Sequence, residues 1–377
     1  MKLSRITVSL LALLAVQLFA MTCYAEESSF WDNFKDPEDG KFDIIGDKEM
    51  ATGFLPIVIP FNEPTIGPGA VGALAYFHPR AETDSSQSKV PPSTSFAGGL
   101  YSENKTWSVA GGHMGIWDNG DTRYVGALVY ASVNLDFYGI GNEAPENTES
   151  IPYNIEGGGT IQQMEFRLGN SDFFAGAKYE FSSTYGTFNT EEEMDEDGRN
   201  QNAGLGVYTS YDTRDNIFTP NSGTKMTGSV ARFGSSLGGD FTYDRIDLRL
   251  NHFWQIHHRM ILGLRMEYRT AGHGAPFYAL PWVKLRGIGA FRYLGYHVLV
   301  SEIEPRWKID NRWSLLAFGG VGRAASHFDK MQDAEKAYNY GAGFRYLVAR
   351  RLGLAMGLDI ARGPEETTAY LTVGNAW

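Results

Sequence analysis

The chain has 377 residues and a formal charge of −11, with 33 basic against 44 acidic residues. That acidic balance supplies no electrostatic footprint for a polyanion and excludes nucleic acid as a partner. Aromatics at 14%, charged residues at 20% and 44 glycines suit either a large soluble β-protein or membrane barrel strands with interfacial girdles.

The N-terminus comes first. Lys2 and Arg5 precede an apolar run over 6–20, and Cys23-Tyr24-Ala25 leads into Glu26-Glu27. A positive start, an apolar centre and a small residue at the junction define a signal peptide over 1–25, exporting the chain across the inner membrane. The apolar run is short for a transmembrane helix. Thr22 before Cys23 fits a lipidation signal poorly. Cleavage after Ala25 removes Lys2, Arg5 and Cys23, leaving 31 basic against 44 acidic residues, a net of −13 with no disulfide. No later segment is apolar enough to span a bilayer as a helix, so the exported chain is either soluble or a closed barrel. Residues 26–52, with Asp36-Pro37-Glu38-Asp39-Gly40 and Gly46-Asp47-Lys48-Glu49, read as a short periplasmic segment too small for a domain.

From Gly53 the pattern is strand, turn, strand. Sixteen strands are predicted: 53–60, 67–78, 93–103, 106–118, 122–135, 160–169, 171–184, 201–212, 224–236, 241–255, 259–271, 295–308, 312–324, 337–348, 351–362 and 367–377. Alternation is sharpest late in the chain. Met260, Leu262, Leu264, Met266 and Tyr268 oppose Arg259, Arg265, Glu267 and Arg269. Leu299, Ile303, Trp307 and Ile309 oppose Glu302, Glu304, Arg306 and Lys308, and Tyr338, Tyr340, Phe344 and Tyr346 oppose Asn339, Gly341, Gly343 and Arg345. A soluble sheet can solvate one face, but strands this apolar on one side and this charged on the other, around a long Arg-Gly loop, point to an all-β transmembrane antiparallel barrel over 53–377. In an even barrel, short periplasmic turns alternate with long external loops. Short links at 169–172, 255–258, 309–311 and 349–351 do alternate with long ones at 136–159, 185–200, 272–294 and 325–336; a long link at 79–92 breaks the rule.

Leu285-Arg286-Gly287-Ile288, between the eleventh and twelfth predicted strands, resembles the Val-Arg-Gly loop motif of the BamA/TamA family, the bacterial surface antigen superfamily. Tyr211-Asp212-Thr213-Arg214-Asp215-Asn216, followed by Pro220 and Gly223, is similar to that family's mid-barrel turn. Phe34–Gly40, Gly53-Phe54-Leu55-Pro56 and Asn62-Glu63-Pro64 resemble a subgroup of short members. The resemblance implies a sixteen-stranded outer-membrane barrel whose sixth external loop folds into the lumen. There Arg286, beside Gly287, would be anchored by inward acids, for which Glu302 and Glu304 on the next strand are placed. Independently of that resemblance, bacterial outer-membrane barrels commonly end in a strand whose terminal aromatic residue is read by the outer-membrane assembly machinery during biogenesis; Trp377 fits, and Asn375 stands where an apolar or aromatic residue is usual. Two features depart from the family. Phe318-Gly319-Gly320-Val321-Gly322 has Gly320 where members carry an Asp, and residues 26–52 cannot hold a POTRA domain, which members that fold or translocate proteins carry.

Other motifs have plainer readings. Gly234-Ser235-Ser236-Leu237-Gly238 matches a nucleophile elbow, but such an elbow needs a strand-to-helix turn and this one joins two strands. His257-His258 fits a periplasmic turn. His273 and His327 are rim candidates for an outer-membrane enzyme. The acidic run Glu191–Gly198 could take Ca²⁺ or bridge to lipopolysaccharide, though a solvated loop explains it as well. Arg245, Asp247, Arg249, Arg265, Glu267, Arg269, Arg345 and Asp359 read as lumen charges that pair or line a pore. The reading is therefore a non-enzymatic outer-membrane barrel without cofactor or metal, in contact with lipid and lipopolysaccharide, aiding insertion or translocation of a client protein. A passive or plugged channel and a rim enzyme are the alternatives.

Overall fold

The computed structural model describes residues 34–44, 53–79, 92–141, 150–188 and 199–377. The expected signal peptide, most of the link at 79–92 and the acidic run at 191–198 lie outside the described residues. Contacts divide the chain into two units, Met1–Met50 and Ala51–Trp377. In the first, Lys35 bridges Phe42 around a turn in which the Asp36 carbonyl accepts the Gly40 amide at 2.8 Å; Gly40, at φ +66°, takes the left-handed position that favours glycine.

The second unit is all-β. Its strands are β1 (Gly53–Glu63), β2 (Gly67–Phe77), β3 (Thr94–Ser102), β4 (Trp107–Trp117), β5 (Thr122–Phe137), β6 (Ile151–Arg167), β7 (Phe173–Phe188) and β8 (Asn200–Asp212). The rest are β9 (Gly223–Phe233), β10 (Tyr243–His257), β11 (Met260–Ala271), β12 (His297–Lys308), β13 (Trp313–Ala325), β14 (Ala337–Ala349), β15 (Leu354–Arg362) and β16 (Thr367–Val373). All sixteen pair antiparallel in chain order, and β1 lies alongside β16, so the sheet curls into a nearly closed barrel. Among the described residues β1 and β16 form no ladder.

The burial pattern is inverted relative to a soluble protein. Met266, Leu299, Ile303, Trp307, Tyr340 and Ile360 are exposed, while Arg265, Glu267, Glu302, Glu304, Arg345 and Asp359 are buried. Period-two alternation places these sets on opposite faces of the same strands. An apolar outer band with charges turned inward is the pattern that lipid imposes.

Several strand boundaries differ from expectation by three or more residues, and two of them have a clear local cause. β6 begins at Ile151 rather than 160, because Pro152 and Gly157-Gly158-Gly159 read as a loop in sequence, yet pair in continuous register with Asp136, Ala131, Tyr130 and Val129. A Cβ on Gly157 would stand 2.1 Å from the Ser183 carbonyl of β7, so this glycine permits close strand approach. β16 ends at Val373 rather than Trp377: Gly374 turns the chain at φ +78° and donates its amide to the Ala355 carbonyl at 2.6 Å.

The apolar core lies where the β11–β12 connection, 272–296, packs on the charged face. Val283, Leu285, Ile288 and Tyr293 bury against Val298 and Val300 of β12, Ala324 of β13 and Ala337 of β14. A second cluster joins Ala275, Leu280 and Leu294 to Phe233, Tyr243 and Ala271.

Candidate functional site

The connection carries Arg286 in among three strands, β12 and β15 bearing carboxylates and β13 an aromatic ring. Its Nη2 lies 2.9 Å from Glu302 Oε1 and 2.9 Å from Glu304 Oε2, and its Nη1 donates to Asp359 Oδ2 at 2.9 Å. Nε also donates to Glu302 Oε1, at 3.2 Å. The contact with Glu304 is an ion pair without hydrogen-bond alignment, since that buried oxygen accepts no hydrogen bond. The guanidinium carbon stands 3.4 Å from the Phe318 ring centroid on β13, adding a cation–π contact. The side chain is 10% exposed and the three acids 4% or less, so every charge here depends on its partners.

The pairs continue across the barrel wall. Glu302 also meets Arg265 of β11 at 3.3 Å and Asn339 of β14 at 3.2 Å. Arg345 of β14 grips Asp359 with both terminal nitrogens, at 2.6 and 2.9 Å, the bidentate geometry that fixes orientation as well as charge. Arg249, Arg265 and Arg269 converge on Glu267.

Gly287 follows with φ +82°, and its amide donates to Tyr370 Oη of β16 at 2.8 Å; a Cβ there would stand 2.8 Å from the Gly363 nitrogen. Farther on, the Ala290 amide donates to Thr65 Oγ1 in the β1–β2 turn. Arg292 and Tyr293 meet Glu365 in the β15–β16 turn at 3.0 and 2.7 Å. One segment thus touches both strands' ends at the unladdered edge.

Of the expected site residues, Arg286, Gly287, Glu302 and Glu304 come together. Asp359 was readable only as one lumen charge among several; its place beside Arg286 depends on a contact 73 residues away in sequence. Gly320 explains the departure on β13: a Cβ there would stand 2.7 Å from Asn339 Oδ1 and 2.8 Å from Leu285 Cδ2. On Gly322 it would meet Val283 at 2.4 Å. These glycines leave room for the connection, and β15 supplies Arg286 with a third acid beside the two from β12. Trp377 lies past the end of β16, its ring stacked 5.6 Å from Phe253 of β10 and close to Gly263 of β11.

The mid-barrel turn is equally structured. Arg214 holds Asp212 with two nitrogens, at 2.8 and 2.9 Å, and Asn216 Oδ1 accepts the Phe218 and Thr219 amides. Arg306 of β12 donates to the Pro220 carbonyl. His273 and His327 do meet, with ring centroids 5.1 Å apart beside Tyr296, but among the described residues neither side chain hydrogen-bonds a carboxylate or hydroxyl. Ser235–Leu237 forms a short turn between β9 and β10, not the start of a helix. Among the described residues no three His, Cys, Asp or Glu side chains are placed to hold a metal ion.

Residues 101–279 match the Omp85 superfamily domain. That stretch, just under half of the chain, is similar to the Omp85 superfamily, and it lies within the sixteen-stranded barrel. A search of curated proteins gives no match. Solved structures bear out the fold. BamA from Haemophilus ducreyi lacking POTRA domains 1–3 superposes with TM-score 0.56 at 10% identity, over 86% of this chain and 70% of that one. CdiB from Escherichia coli gives 0.59 at 8% identity, over 87% and 63%, and CdiB from Acinetobacter baumannii 0.55 at 11%, over 85% and 59%. This chain therefore spans about three fifths of each CdiB structure. At 8–11% identity, the likeness to these structures is one of barrel fold.

Proposed function

We propose that this barrel assists the insertion or translocation of a partner protein at the outer membrane, with the β11–β12 connection held in the lumen by Arg286. One observation carries the reading: the same connection is pinned to β12 and β15 through Glu302, Glu304 and Asp359, and it touches the β1–β2 turn through Thr65 and β16 through Tyr370. A segment tied to both sides of an unladdered edge can report or restrain the separation of that edge. Pro56 and Pro60 in β1 support this role, because proline in a sheet is confined to the edge where its missing N–H is not needed.

Deletion of the gene, followed by proteomics of the outer membrane, is the test. Depletion of a defined subset of outer-membrane proteins, restored by the wild-type chain and not by Arg286→Ala, supports an assembly role. An unchanged outer-membrane proteome rejects it. Trp377 is proposed as the assembly signal read before the barrel closes, with the assembly machinery as partner during biogenesis and lipid and lipopolysaccharide around the finished barrel.

A further inference from the structure

On the charged face, linked to the Arg286 network through Arg265, which pairs with both Glu302 and Glu267, strands β7 to β11 and the connection line a half-open cavity of about 380 Å³. Five cations line it: Lys178, Arg245, Arg249, Arg269 and Lys284. Three acids serve them. Glu180 takes Lys178 and Arg245, Asp247 takes Arg245 at 3.0 Å, and Glu267 is shared by Arg249, Arg269 and Arg265 from outside the cavity. The lining therefore carries an excess of positive charge inside a chain whose net charge is −11.

Two of these cations are under-satisfied. Arg269 is about nine-tenths buried, and while its Nη2 donates to the Trp282 carbonyl at 2.6 Å, its Nε donates to nothing. A buried donor left unmade is costly unless something occupies the space before it. Among the described residues Lys284 pairs with no carboxylate; its Nζ stands 4.3 Å from the Trp282 ring centroid. Burial, then the nearby Arg269, Arg249 and Arg265, push the ammonium of this loop lysine down to about 8. Thr227 and Ser229 of β9 and Tyr208 of β8 add hydroxyls to the same wall, and Leu280 and Pro281 close it with apolar surface. Fixed donors and excess positive charge in a walled space are what an oxyanion needs.

We propose that this cavity binds a soluble phosphate-type oxyanion, held by Lys284, Arg249 and the free Nε of Arg269. Its charged lining lies on the strand face opposite the exposed apolar band, which points to a free solute, not a lipid headgroup, as its source.

Equilibrium dialysis of the purified, folded barrel in detergent against radiolabelled inorganic phosphate, at constant ionic strength, tests this. Saturation at one phosphate per barrel is expected. Affinity should fall at least tenfold in Lys284→Gln and be abolished in Thr227→Glu, which sets a carboxylate opposite Arg249 in the β9–β10 register. Arg232→Gln, in an exposed pair with Asp244, should bind as the wild type does. Heat-modifiable migration on gels confirms folding of each variant, so loss of one to misfolding leaves the other to decide. Non-saturating uptake, equal binding in wild type and both cavity variants, displacement by chloride at the same ionic strength, or phosphate binding only in vesicles containing phosphatidylglycerol would each overturn the proposal.

Discussion

Arg286 shows how much one side chain can decide. Removing it leaves Glu302, Glu304 and Asp359 buried, with Arg265 and Arg345 as their remaining close cations. Breaking a buried pair on one side costs about 3–5 kcal/mol, reduced where lumen water reaches the charges. Arg286→Ala should therefore lower the denaturant midpoint of the refolded barrel, followed by heat-modifiable migration, by a shift of that order. Arg286→Lys should recover only part of it, because an ammonium cannot reproduce contacts made by three separate guanidinium nitrogens. An Arg286→Ala barrel as stable as wild type would sink the anchoring role. Gly287→Ala makes a separate point. The left-handed conformation costs an L-residue about 1–2 kcal/mol, and the added Cβ would press on the Gly363 nitrogen; a destabilisation of at least that size is expected in the same assay. The Arg-Gly pair and the two glutamates were legible in sequence because a motif and a period-two pattern put them on one face of adjacent segments. Asp359 was not, since only the closed order of strands brings β15 round to the loop.

At the scale of elements, the strand rhythm was legible almost throughout because lipid enforces alternation on every strand. It failed where backbone geometry replaces side-chain pattern, at the glycine-rich start of β6 and at the end of β16, where Gly374 ends the strand and sends Trp377 to Phe253. That tail separates two roles for one residue. If Trp377 serves only packing, Phe253→Ala and Trp377→Ala should reduce assembled barrel in the outer membrane alike. If it is also the assembly signal, Trp377→Ala should reduce it severalfold more, while the two purified variants refold in detergent to similar extents. β1 supplies a further test. Pro56 and Pro60, four residues apart, share one edge of the strand, and both stay in register with β2, opposite Leu74 and Ala70. Replacing both with Val restores two donors toward β16. The double variant should show slower amide exchange in β16 and a higher unfolding midpoint; unchanged exchange would mean that the prolines do not hold that edge open.

For the whole molecule, the decisive property is which face meets which solvent. Ile303 on β12 is 51% exposed, and its neighbours Glu302 and Glu304 are 1% and 4% exposed. In a water-soluble sheet these values would make Ile303 a tolerant surface position, where substitutions stay within about 0.5 kcal/mol. In a barrel whose apolar band lies in hydrocarbon, the same position must desolvate whatever is placed there, and an Arg near the bilayer midplane costs about 2–4 kcal/mol, falling to about 0–1 near the interfaces. Ile303→Arg should therefore destabilise the barrel by that larger amount in phospholipid vesicles. Lys308 and Ile309 mark the end of the same strand, so Ile309→Arg, also exposed but beyond the strand, should cost far less. In short-chain detergent, where water reaches the outer face more readily, the gap between the two variants should narrow. Folding titrations of both variants in the two media measure that gap directly, and equal costs for both in vesicles would contradict a hydrocarbon-facing band. The outcome rests on polarity pattern and strand position together, which is why composition alone left a soluble β-protein open and alternation along ordered strands did not.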